Sequence, residues 1–63
     1  IVVNNTNDCS IENLIEGEQV MIFDAMGRLV YNAQADATAI NVSLTAGTYI
    51  VRQANNFAKF VIK

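Results

Sequence analysis

Alternation of apolar and polar residues is the feature that most narrows what this chain can fold into. In "AINVSL", Ile40, Val42 and Leu44 fall on one side and Asn41 and Ser43 on the other. In "FAKFVIK", Ala58, Phe60 and Ile62 share one face, and Phe57, Lys59, Val61 and Lys63 share the opposite one. A period of two is the signature of a strand with one buried face, because successive side chains of an extended backbone point to opposite sides. The second face of "FAKFVIK" is mixed, apolar and basic together.

Turn signals cut the remainder into pieces of similar size. "IVVN" and "SIENL" flank the polar "NTNDC", Glu16 and Gly17 separate "SIENL" from "QVMIFD", and Asn55 and Asn56 separate "TYIVRQ" from "FAKFVIK". Asn-Asn suits a two-residue turn because Asn tolerates the left-handed region. Between "QVMIFD" and "RLVYNA", Gly27 takes a positive φ at little steric cost, so Asp24 to Arg28 reads as a tight hairpin with a glycine bulge. Thr48 to Arg52 reads as a strand entered from a turn that opens at Leu44 and ends at Gly47. The pattern is all-β, with about seven short antiparallel strands and a turn signal roughly every 8 to 12 residues, as in a small sandwich or barrel. The rival is a helix over the alanine-rich "YNAQADATAI", which has the propensity but neither caps nor a 3.6-residue stripe, so it reads as a loop or irregular edge. With no proline to blunt the edge strands, Arg28, Arg52, Lys59 and the acids are left to protect them.

Length allows one domain, and a chain of 63 residues buries only about 60% of the surface that its unfolded form exposes. Hydrophobic residues at 52% against 16% charged place it among chains that fold. The single cysteine, Cys9, has no internal partner, so packing alone must hold the fold. No apolar run approaches the roughly 18 residues of a membrane helix, and no charged-then-apolar leader opens the chain. Ile1 in place of an initiator methionine reads as the start of a fragment of something longer.

Charge is informative in its distribution. Residues 1–36 hold all six acids (Asp8, Glu12, Glu16, Glu18, Asp24 and Asp36) and one base, Arg28, whereas residues 37–63 hold Arg52, Lys59 and Lys63 and no acid. Two readings follow: attraction between the halves across a solvated surface, or a basic face offered to a partner. An isoelectric point near 4.6 argues against nucleic acid, which draws on clustered Lys and Arg. No nucleic acid and no membrane insertion are therefore expected.

Catalytic equipment is missing from the sequence. There is no histidine, the commonest general base and metal ligand, so Cys9 has no imidazole to activate it and reads as a small apolar filler. Zinc needs more Cys and His than the chain has. Glu16, Glu18 and Asp24 lie near turns, but no calcium-loop spacing supports them, and an Asp that opens a turn caps local N–H groups. Gly17, Gly27 and Gly47 are dispersed singly, unlike a phosphate-cradling loop. Asn4-Asn5-Thr6 and Asn41-Val42-Ser43 match the glycan-acceptor pattern, which arises by chance in an Asn-rich chain. Tyr31, Tyr49, Phe23, Phe57 and Phe60 are spread over four strands, and most are expected to fill the interior. No catalytic, cofactor-binding or metal residue is assigned.

Three segments in order, "VMIFDAMGRLVYNA" (Val20 to Ala33), "INVSLTAGTYIV" (Ile40 to Val51) and "KFVIK" (Lys59 to Lys63), resemble the type A C-terminal sorting domain of cargo exported by the type IX secretion system. Members of that family share a Gly-Arg or Gly-Lys hairpin, then Leu-x-x-Gly-x-Tyr, then a final strand rich in Lys and apolar residues. The resemblance covers nearly the whole chain. It departs at two points: no Asn-Pro stands near the start, and Thr45-Ala46 replace the proline-bearing turn before the glycine.

The resemblance implies an immunoglobulin-like β-sandwich, with residues 1–63 forming a single sorting-signal domain at the C-terminus of a larger exported protein of a Gram-negative cell. The cargo, itself an enzyme in some cases, such as a secreted protease, passes through the periplasm and ends at the cell surface or outside the cell. Outer-membrane translocation and shuttle machinery reads the domain, and a sortase-like peptidase usually removes it. The family's recurring residues fall on Gly27, Arg28, Leu44, Gly47, Tyr49, Lys59 and Lys63. The last strand adds a candidate docking face of Phe57, Lys59, Val61 and Lys63, although the same lysines serve equally as edge protection. The alternative is a non-catalytic structural sandwich module of a multidomain surface protein or adhesin. Dimerisation in isolation is expected from an exposed edge.

Overall fold

The computed structural model describes residues 1–5 and 9–63. Among them are strands β1 (Val2–Asn4), β2 (Cys9–Glu12), β3 (Gln19–Asp24), β4 (Leu29–Gln34), β5 (Ile40–Val42), β6 (Gly47–Gln53) and β7 (Asn56–Ile62), and no helix. "YNAQADATAI" divides into the end of β4, an irregular passage and the first residue of β5, as its lack of an apolar stripe requires. The polar segment before β2, with Thr6 of the first acceptor triplet and Asp8, lies outside the described residues.

The strands form two antiparallel sheets, ordered β1-β2-β5 and β4-β3-β6-β7. The chain crosses between sheets after β2, after β4 and after β5, so neighbours in sequence are often not neighbours in a sheet. This is the order of an immunoglobulin-like sandwich whose fourth strand has joined the second sheet.

Alternation decides which side chains meet. Cys9, Ile11 and Val42 face inward from the first sheet, and Val20, Ile22, Tyr49, Val51 and Phe60 face inward from the second. Leu14 and Ala35 close the ends, and Ile40, Leu44, Ala58 and Ile62 pack around this cluster. The Tyr49 and Phe60 rings stack with centroids 5.7 Å apart. Register is set by this burial, since a slip of one residue would turn every inward side chain of a strand outward.

That constraint relocates one turn. Gln53 pairs with Asn56, so the β6–β7 hairpin turns on Ala54 and Asn55, one residue earlier than the Asn-Asn signal indicates. The pairs Tyr49 with Phe60 and Val51 with Ala58 hold the core in this register, and Ala54 takes the positive φ of +53° in place of an asparagine.

A fully buried polar residue fastens the β2–β3 connection. Gln53 accepts the Ile15 N–H through Oε1 (2.7 Å) and donates through Nε2 to the carbonyls of Ile15 (2.8 Å) and Glu18 (3.3 Å). The same connection is bonded to the β4–β5 passage: Leu14 N–H donates to the Thr38 carbonyl, Gly17 N–H to that of Ala35, and Ala35 N–H to that of Glu18. Backbone groups of the connection that no sheet ladder pairs thereby find partners.

Candidate functional site

The β3–β4 hairpin is built around the Asp24 carboxylate. Its Oδ1 accepts the N–H groups of Met26 and Arg28, both at 2.9 Å, and its Oδ2 accepts Arg28 Nε at 2.9 Å. Gly27 supplies the turn with φ +84°, and its N–H donates to the Asp24 carbonyl. The register of β3 against β4 shifts between Ile22 and Phe23, the irregularity that the glycine turn predicts. The Arg28 backbone N–H, followed by its side chain and the Met26 N–H, holds the Asp24 carboxyl below the usual carboxylate range against the opposing effect of burial. Asp24 therefore caps the turn, as an Asp in that place should.

The corner between β5 and β6 is built around Tyr49. Leu44 is half-buried against the core, and Tyr49, four residues past Thr45, turns its hydroxyl back to donate to the Thr45 carbonyl at 2.7 Å. This is the tyrosine corner of immunoglobulin-like sandwiches, in which a strand's early tyrosine ties down the crossover that precedes it. Gly47 enters the strand at φ +158°, a conformation that L side chains rarely adopt, while a Cβ there would meet the Tyr49 ring only at an ordinary contact distance of 3.6 Å, so backbone conformation and not space favours glycine at this corner. "LTAGTY" is thus a folding device, and Tyr49 is buried.

Lys59 stands on the outer face of β7, beside Phe57 (74% exposed) and Val61 (48% exposed), and Lys63 follows the end of the strand. β7 is an edge strand, and the Asn5 side-chain amide donates to the Val61 carbonyl on its open side. Arg52 is different: it lies on the inner strand β6, opposite Phe57, so it does not guard an edge as the sequence reading supposes. Only the three-dimensional strand order separates an inner strand from an edge.

Three of the residues singled out in sequence meet at one place. Gly27 from the hairpin, Tyr49 from the corner strand and Lys59 from the last strand line a single hollow, together with Phe23, Thr48 and Ile50. Arg28 is tied to its rim through Asp24, whereas Leu44 points to the interior and Lys63 lies outside the lining. The participation of Phe23, Ile50 and Arg52 in this face is not readable from the sequence, because it depends on which strands become neighbours. The Arg28–Asp24 ion pair joins two residues of the acid-rich half, so the described residues show no ion pair between the halves. Cys9 is a buried free thiol whose pKa burial pushes up, a filler of the core.

No curated protein and no solved structure matches the chain. A family model, the secretion system C-terminal sorting domain, matches residues 2–63. With a tyrosine corner, a capped Gly-Arg hairpin and a lysine-bearing last strand on one immunoglobulin-like sandwich, this chain belongs to the family of secretion system C-terminal sorting domains, the type IX secretion signals that send proteins to the cell surface or the extracellular space.

Proposed function

We propose that residues 1–63 are the address at the C-terminus of a longer exported protein, and that the domain acts as a ligand and leaves the chemistry to other proteins. The cargo crosses the periplasm, the outer-membrane translocation and shuttle machinery reads the folded domain, and a sortase-like peptidase then removes it. In this reading the signal residues divide into two roles. Gly27, Arg28, Leu44, Gly47 and Tyr49 hold the shape, while Phe57, Lys59, Val61 and Lys63 are the part presented. The observation that supports the division is burial: Tyr49 is buried and Leu44 half-buried, whereas Phe57, Lys59, Val61 and Lys63 are exposed, and the hollow lined by Gly27, Tyr49 and Lys59 sets the two groups side by side.

The test fuses residues 1–63, with the native linker, to the C-terminus of a periplasmic reporter in a cell with an active type IX system. The reporter is expected at the surface or in the medium, and removal of residues 59–63 is expected to retain it in the periplasm. Retention of the intact fusion, alongside export by an established signal, would overturn the proposal. A domain that is only a structural spacer gives that same retention.

A further inference from the structure

The two outer faces of the sandwich differ in kind. Outward strand positions of the first sheet are mostly polar: Asn4, Ser10, Glu12 and Asn41, with Val2. Those of the second sheet include Phe23, Leu29, Ile50 and Phe57, with Arg52 and Lys59 among them and no acid. The Phe23–Ile50 pair divides this face into two hollows of about 410 and 370 Å³. Lys59 lines the first together with Asp24, whose carboxylate is already engaged by Arg28, and Arg52 with Phe57 lines the second, so each hollow combines apolar side chains with one cation outside that ion pair.

This pairing selects among occupants. A second copy docked face to face would set Arg52 and Lys59 against their own kind, which electrostatic complementarity disfavours. A membrane surface is drawn by clusters of Lys and Arg beside protruding apolar side chains, whereas this face carries only Arg52 and Lys59 among its outward strand positions and the chain has a net charge of -2. A polypeptide that inserts apolar side chains and brings carboxylates to the two cations satisfies both features. The Cα extents of the molecule are 28 × 24 × 15 Å, so one face buries on the order of several hundred Å² per side, the range of transient contacts. A signal that must be released after reading needs such a contact.

We infer that the outer face of β3, β6 and β7, centred on Phe23, Ile50, Arg52 and Lys59, is the docking surface for an acidic, apolar-anchored polypeptide segment of the export apparatus. This rests on the sorting reading above and extends the presented surface from the last strand to Phe23, Ile50 and Arg52.

The test places a photo-crosslinking phenylalanine analogue at Ile50, and in a parallel variant at Asn41 on the opposite face, in the exported reporter fusion. Ile50 is expected to trap a polypeptide whose cross-linked segment carries Asp or Glu with apolar residues and no Lys or Arg, and Asn41 is expected to trap none of it. The double variant Arg52→Glu, Lys59→Glu is expected to cut both the adduct and export at least tenfold with the melting temperature unchanged. The inference is overturned if the reporter is exported while Ile50 gives no adduct, or one to lipid, to a second copy of this chain or to a segment without acids. Absence of export by the unmodified fusion strikes the sorting reading itself, and this inference with it.

Discussion

At the scale of single residues, Tyr49 and Asp24 show how little surface a determining side chain needs. Tyr49 contributes a buried ring and one hydroxyl bond to Thr45. Tyr49→Phe removes the bond alone and is expected to cost about 1 kcal/mol, while Tyr49→Ala also empties the space beside Phe60 and is expected to cost about 3–5 kcal/mol. Urea unfolding of the isolated domain measures both, and a Tyr49→Phe variant as stable as the parent would refute the corner's role. Asp24 links stability to pH. Its folded pKa is depressed, so its contribution is fully present above the ordinary aspartate value of about 3.9 and is lost as pH falls through the lower folded value. Melting temperatures between neutral and strongly acidic pH should fall less steeply in Asp24→Asn than in the parent. Asp24's capping is legible in sequence, because a turn-opening Asp before a glycine has only local N–H groups to reach; the hydroxyl bond of Tyr49 is not, since it depends on where the crossover backbone runs.

At the scale of elements, the hairpins and the connections behave differently. The β3–β4 hairpin follows from its own residues, and so do the bounds of β3. The β6–β7 turn does not: Asn56 gives up its turn position to Ala54 because burial of Phe60 and Ala58 outweighs the conformational cost at Ala54, on the order of 1–2 kcal/mol. The β2–β3 connection depends on Gln53, which a sequence reading passes over as one polar residue at a strand end. Gln53→Leu keeps the volume but leaves the Ile15 N–H and two carbonyls without their partner, and about 3 kcal/mol of stability is expected to go with them. Hydrogen exchange in the variant should accelerate first at Ile15 to Glu18, ahead of the strands; uniform acceleration would mean that the connection is not separately fastened.

At the scale of the whole molecule, the sandwich closes over Cys9. Its thiol is buried between the sheets and its pKa is raised by that burial, so reaction with a thiol reagent requires the sheets to part. Labelling of the native domain should be slow, should reach the rate of a free thiol in denaturant, and should be faster in Gln53→Leu than in the parent at the same pH. Rapid labelling of the stable parent would show that the sheets separate without unfolding. Closure also creates the two outer faces, one polar and one apolar and basic, from strands whose individual faces look alike.

Alternation, glycine and a capping Asp act over a few neighbouring positions, so the all-β class, the places of the strands and the β3–β4 hairpin are legible in the sequence, while the β6–β7 turn is not. The sequence also carried the family, since "MGRLVYNA", "LTAGTY" and "KFVIK" are local signatures in a set order. The tertiary structure alone decided which strands are edges, that Arg52 stands inside a sheet, that Gln53 fastens a distant loop and that Gly27, Tyr49 and Lys59 share one hollow. The physical reason is that each of these depends on pairing between residues far apart in the chain. Register and sheet order are set by what the assembled core can bury, which no single segment encodes.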